Sequence, residues 1–235
     1  MRKNFLKSIR TKTLIIAILI LFFTTSNTTP GEMTNNKFVD ETEIYVNNLR
    51  TKMKNELTKE VHNYIKLMAP GSNLNPEYLV EKCLEYETDI IFVLSQALLE
   101  SHFGTRGKAA QTNSVWNVGT YDDGQVLYRY KTVDESLEPY LKLINEKYLI
   151  NITSKGDTIY KDLGHLVQDR GYINYNGSRF ASARGYENGM RKFMVKIDME
   201  TSISFYQDIL RLTDQEILAF FIPETTIYEE FYALN

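Results

Sequence analysis

The sequence predicts an α+β protein that is mostly helical, with one small β element. Three observations carry that reading. Apolar residues recur at helical spacing on both sides of the chain's middle. The segment Ile90-Ile-Phe-Val-Leu-Ser-Gln-Ala-Leu-Leu-Glu-Ser101 is apolar on nearly every face, as a helix at the centre of a core must be. Gln125-Val-Leu-Tyr-Arg-Tyr130 has strand composition and follows an Asp123-Gly124 turn signal, which fits a short hairpin. The 235 residues are 43% hydrophobic and 24% charged, ordinary globular proportions that exclude a disordered, collagen-like or multi-pass membrane chain and suit one compact domain.

The amino terminus stands apart from this body. Arg2, Lys3, Lys7, Arg10 and Lys12 carry five positive charges with no acid among them, and Leu14 to Phe23 is a run of ten apolar residues. As a helix that run spans roughly 15 Å, half a bilayer core. Thr24, Thr25 and Ser26 follow, so residues 1–26 have the layout of a signal peptide or short membrane anchor, which predicts an exported, envelope-located protein. Removing the five cations from the 27 Lys and Arg leaves 22 against 30 acidic residues, a net charge of −8. A body this acidic lacks the footprint for phosphate backbones, so nucleic acid is not an expected partner. The single Cys83 excludes a disulfide within the chain.

The remaining elements follow from local signals. Residues 27–39 are polar, with Pro30-Gly31, and read as a linker. From Asp40 to Met68, Ile44, Leu49, Met53, Leu57, Val61, Ile65 and Met68 step by three to five, the pattern of an amphipathic helix that Pro70-Gly71 ends. Asn75-Pro76 opens a helix to Glu87, since Pro suits a first helical position. Thr88-Asp89 caps the apolar segment, and Gly104 is placed to end it. Capping boxes at Thr132-Val-Asp-Glu135 and Thr213-Asp-Gln-Glu216 start two more helices, the first reaching Tyr148. Further helices fit 158–168 and 185–198.

Among residues able to do chemistry, Glu100 is the informative one. It lies in the last turn of the most buried helix, where the negative end of the macrodipole and desolvation against Leu98, Leu99 and Phe103 both favour the protonated form. A glycosidase needs such a group to protonate a leaving oxygen. The competing structural reading is an exposed Glu100 paired with Arg106 or Lys108. Asp122 and Asp123 are ordinary turn carboxylates that gain interest only as a second acid near Glu100. Trp116, Tyr121, Tyr128, Tyr130, Tyr172, Tyr175 and Tyr186 are candidates for a surface that stacks sugar rings. Gly104-Thr-Arg-Gly-Lys108 lacks phosphate-loop spacing, the three histidines form no zinc motif, and no cofactor or metal is expected.

These residues converge on a known pattern. Ser95-Gln-Ala-Leu-Leu-Glu-Ser-His-Phe-Gly-Thr105 resembles the A-Q-x-x-x-E-S-x-[WF]-G-T signature of the bacterial glucosaminidases, the endo-β-N-acetylglucosaminidase family that includes flagellar rod-associated peptidoglycan hydrolases. Ala109 to Gly119 is similar to its A-x-x-x-N-N-L-F-G-I-K segment, with Asn113 on the first Asn, Trp116 on the aromatic and Asn117 where Gly is usual. Tyr128 to Ser136 resembles F-R-x-Y-x-S-x-x-E-S, and the likeness runs in order from about Pro76 to Ile197.

The resemblance implies a lysozyme-like fold with a small β-hairpin, Glu100 as general acid, and hydrolysis of the β-1,4 bond after N-acetylglucosamine in peptidoglycan glycan strands. It makes Asp122 and Asp123 candidates for the second carboxylate. It also places Gln96, Asn113, Trp116, Tyr128, Tyr172, Phe180 and Tyr186 at the substrate. Phe180-Ala-Ser-Ala-Arg-Gly-Tyr186 is most like the family's Y-A-T-D-P-x-Y, so Phe180 stands where a site Tyr is usual and Tyr172 or Tyr175 would have to supply its hydroxyl. That departure motivates an alternative, a catalytically weak glycan-binding or assembly module using the same groove. The expected layout is a helical extension at 40–75, a glucosaminidase domain at 76–200 and a C-terminal helical extension at 201–235, with membrane attachment through 14–23 if that segment is retained.

Overall fold

The computed structural model describes residues 32–119, 125–148 and 185–221, which are mostly helical and contain no strand. Where one compact domain was expected, the chain divides into two units: Asn55–Gln207, and the flanking stretches up to Lys54 and from Asp208.

Helix α1, Glu32–Met68, begins eight residues before Asp40, because nothing after Pro30-Gly31 breaks it: the run contains neither Pro nor Gly. Helix α2, Pro76–Glu85, starts as its sequence indicates. Asn75 is extended, and its Oδ1 accepts from the N–H groups of Glu77 at 2.9 Å and Tyr78 at 3.3 Å. Helix α3, Ile90–Ser101, is capped by Asp89, whose Oδ1 accepts from Phe92 N–H at 2.9 Å. Every residue of α3 except Leu99 and Glu100 is buried.

The end of α3 departs from expectation. The chain turns left-handed at His102 (φ 52°) and stays so through Phe103 (φ 57°) and Gly104 (φ 81°), so Gly104 is the third such residue and not the first. Side chains hold this turn. Ser101 Oγ accepts from Gly104 N–H at 2.7 Å and donates to Val115 O at 2.6 Å, and Ser72 Oγ donates to Phe103 O at 2.8 Å.

After the short helix α4, Ala109–Thr112, residues 125–130 form no strand, and Val126 makes a single β-bridge. Leu127 N–H bonds Gly119 O and Tyr130 N–H bonds Thr112 O, both at 2.8 Å. Residues 120–124, at the turn of the expected hairpin, lie outside the described residues, as does the expected helix 158–168. A 3₁₀ turn at Asp134–Ser136 leads into α5, Leu137–Leu143, and a π turn at Ile144–Tyr148. Thr132 Oγ1 accepts from Glu135 N–H at 3.4 Å, but the Glu135 carboxylate bonds Lys131 N–H instead of Thr132 N–H. Helices α6, Tyr186–Glu200, α7, Ile203–Leu210, and α8, Asp214–Phe221, complete the described chain.

In the Asn55–Gln207 unit, α3 forms the centre and α6 lies against it. Leu57, Val61 and Ile65 of α1 are buried in the same unit, and Trp116 stacks on Tyr140 of α5 at 4.7 Å between ring centroids, 12° from parallel. Gly189 lets α6 approach: a Cβ there would sit 3.3 Å from Leu99 Cδ1. In the other unit, Val46 packs with Ile217, Leu218 and Ala219. Arg50 donates to the carbonyls of Leu210 at 3.0 Å and Leu212 at 2.7 Å and pairs with Asp214 at 2.7 Å, placing a cation at the carboxyl end of α7. No helix among the described residues is long and apolar enough to cross a membrane, and residues 14–23 lie outside them.

The approach of α6 to α3 is tested at Gly189. Gly189→Leu forces a bulky side chain into the space held by Leu99 and should cost about 1–3 kcal/mol. Urea unfolding measures it, and an unchanged midpoint and slope would mean that the two helices do not depend on this contact.

Candidate active site

Glu100 is the penultimate residue of α3 and stays partly open to solvent. Both carboxylate oxygens are engaged by neutral donors. Tyr186 OH donates to Oε1 at 2.5 Å, and Asn117 Nδ2 donates to Oε2 at 2.9 Å and to the Glu100 main-chain carbonyl at 3.1 Å. Arg106 and Lys108 are exposed and neither bonds Glu100, so the competing surface ion pair does not form.

Behind Tyr186 lies a buried relay. Gln96 Nε2 donates to Tyr186 OH at 3.0 Å, and Tyr140 OH donates to Gln96 Oε1 at 2.6 Å. Each donor points toward Glu100, so the bonds polarise one another in the sense that favours a negative carboxylate. Burial acts the other way and is the stronger effect, holding the Glu100 carboxyl above its ordinary 4.5 against the lowering by Tyr186 and Asn117. Burial, with the neighbouring Tyr186, also pushes the Tyr140 hydroxyl well above its usual range, so Tyr140 remains a donor throughout physiological pH.

The loop after α3 carries Asn117 back to the acid. Ser136 Oγ accepts from Val115 N–H at 3.2 Å, Trp116 Nε1 donates to Val93 O at 3.1 Å, and Asn117 N–H bonds Ser114 O at 3.0 Å. Asn117 is left-handed (φ 53°), a conformation Asn tolerates better than most residues. Two residues on, Gly119 (φ 72°) lies under Tyr128, and a Cβ there would fall 2.2 Å from the Tyr128 ring. Only glycine fits that position. Tyr128 is 51% exposed, and its ring centroid is 6.5 Å from that of Tyr130.

The sequence-predicted residues therefore separate. Glu100, Gln96 and Tyr186 come together in one network. Gln96 and Trp116 are buried in the core, so they support the site from behind and present no face to a substrate. Asn113 donates to the carbonyls of Tyr130 and Lys131 at 2.9 and 3.1 Å and ties the extended segment to α4. Asp122, Asp123, Tyr172, Tyr175 and Phe180 lie outside the described residues. Sequence reading missed Tyr140, which has no local signal, and Asn117, visible only as a departure from a pattern.

Because the folded chain holds the Glu100 proton more tightly than the unfolded chain, Glu100 contributes stability below pH 4.5 that is lost as pH rises through the folded value. Glu100→Gln does not titrate. The unfolding free energy of the native protein, measured in urea at stepped pH, should decline relative to that of Glu100→Gln as pH rises above about 4.5; parallel curves would show that burial does not hold the proton. No protein-family model, curated protein or solved structure matches this chain, so what the site can do is decided by its own atoms.

Proposed function

We propose that the chain is an exported peptidoglycan hydrolase of the endo-β-N-acetylglucosaminidase type, with Glu100 as the general acid. One observation carries the reading: the acid of the signature-like segment Ser95–Thr105 is partly buried, held above its ordinary pKa, and bonded among the described residues only by neutral donors. In this reading Glu100 delivers its proton to the glycosidic oxygen as the bond to the anomeric carbon breaks, and water completes the hydrolysis. Asp122 and Asp123 are the candidates for the carboxylate that stabilises the anomeric carbon or activates that water. The exposed Tyr128 and the adjacent Tyr130 suit a stacking platform for the sugar rings.

The role fixes the sign of the pH dependence. A general acid works only while protonated, so cleavage declines as pH rises through the raised Glu100 value. The second reading, a glycan-binding or assembly module, is favoured by Phe180 standing where a site Tyr is expected.

Glu100→Gln keeps the helical circular dichroism of the native chain and loses at least about a hundredfold in wall cleavage, seen as loss of the clearing zone in a peptidoglycan zymogram. An unchanged zone would reject Glu100 as the acid. Sedimentation of the native protein with purified wall, together with analysis of released muropeptides, separates the two readings. Binding that produces no new reducing ends would replace the hydrolase with the binding module.

A further inference from the structure

We propose that Asn117 is the positioning residue for Glu100: its amide is locked as a donor to both the backbone carbonyl and the carboxylate of that one residue, which fixes the carboxyl's orientation and reserves Oε2 as an acceptor. This deepens the hydrolase reading and rests on it for its catalytic consequence, though not for its geometry.

The lock follows from which atoms meet. Asn117 Nδ2 lies 2.9 Å from Glu100 Oε2 and 3.1 Å from Glu100 O. Two N–H bonds face two acceptors. Turning the amide over would set Oδ1 against the Glu100 main-chain carbonyl oxygen, a repulsive contact in either state of the carboxyl, so that carbonyl holds Asn117 as a donor. Asn117 Oδ1 is consistent with a constrained amide: it is buried and accepts no hydrogen bond among the described residues. A buried acceptor without a partner is unfavourable, and an amide free to choose would relieve it. The backbone is constrained too, since Asn117 is left-handed and Ser101 Oγ and Ser136 Oγ hold the preceding Val115.

The consequence concerns where the acid's proton goes. With the near side of Oε2 occupied by an N–H, the proton must take another lone pair of Oε2 or a place on Oε1, which already accepts from Tyr186. Among the described residues, the titratable groups facing Glu100 are Tyr186 from α6 and, behind Gln96, Tyr140 from α5, whose hydroxyl burial pushes well above its usual range. Asn117 is thus one of the two side chains among the described residues that favour the ionised form directly.

Two variants of the full chain test this. Asn117→Gly keeps the left-handed backbone, which glycine adopts without penalty, and removes the donor. Asn117→Asp keeps the shape and sets oxygen against oxygen. The carbon-13 titration of the Glu100 carboxyl, assigned by its loss in Glu100→Gln, should move to higher pH in Asn117→Gly and further in Asn117→Asp. The measurement needs no substrate, so it stands even if wall cleavage is absent. Where cleavage is found, the alkaline limb of the kcat profile moves up with the titration in Asn117→Gly, while KM stays within about twofold. Glu100 titrating at the native pH in a folded Asn117→Gly chain would overturn the proposal, and so would an Asn117→Asp chain that titrates like the native one, because shape alone would then explain the contact.

Discussion

Gln96 is a primary amide in the middle of a helix whose other buried side chains are nearly all apolar, and the arrangement around the site follows from satisfying it. A buried amide left unpaired costs about 1–3 kcal/mol. Its oxygen is met by Tyr140 from α5 and its nitrogen by Tyr186 from α6, so one side chain sets how two helices dock on α3. Tyr186 then has its own hydrogen to place, and Glu100 Oε1, one turn beyond Gln96 on the same face of α3, takes it. The register of α6 along α3 is therefore determined by hydrogen bonding as well as by apolar packing. Gly189, one turn after Tyr186, is the steric side of the same contact, because a larger residue there meets Leu99 before the Tyr186 hydroxyl can reach the acid.

The site balances two opposed influences on one carboxyl. Desolvation at the end of α3 favours the neutral acid, and two neutral donors favour the anion. A cation in place of either donor would act far more strongly, since a charge within hydrogen-bond distance stabilises the anion by Coulomb attraction in addition to the bond. Arg106 and Lys108 are instead surface residues, and among the described residues no ion pair depresses the carboxyl. That distinguishes Glu100 from Glu138, whose carboxylate is pulled below its ordinary range first by Lys82, 3.0 Å away, and then by Tyr78. The same residue type is tuned in opposite directions by what faces it.

How much of this the sequence shows depends on the range of the interaction. Asn75-Pro76, Asp89 and the Thr213–Glu216 capping box act within three residues, and each forms as its spacing indicates; Thr213 N–H meets Glu216 Oε2 at 2.9 Å, and Glu216 N–H meets Thr213 Oγ1 at 3.3 Å. The burial of α3 is legible from its unbroken apolar run. The end of α3 is not, because His102 and Phe103 take up the turn ahead of Gly104 through bonds to Ser72, Ala97 and Leu98 while Ser101 bonds Val115, partners partly distant in sequence. The Gln96 network is less legible still: its partners lie 44 and 90 residues away, and a Tyr in an amphipathic helix gives no sign of which way its hydroxyl points. Glu100 was identifiable as an acid in an unusual setting, but the side chains that make the setting were not.

The left-handed turn after α3 shows why the acid's surroundings tolerate strain. A non-glycine residue in this conformation costs about 1–2 kcal/mol, and His102 and Phe103 incur that cost in succession. Phe103 recovers it: its side chain is fully buried, edge-on to Tyr64 at 6.2 Å, and burying a Phe contributes about 1.5–3 kcal/mol. His102 has no comparable burial, so its strain is offset by the bonds that close the turn, from its own N–H to Leu98 O and from Ser101 Oγ to Val115 O. The same bonds direct the chain back across the end of α3, where Asn117, 17 positions beyond Glu100, donates to that residue's carbonyl. Strain at 102 and 103, the serine clamp at 101 and the amide at 117 are therefore one structural solution: α3 is stopped abruptly, with its last acid partly open to solvent and held from both sides.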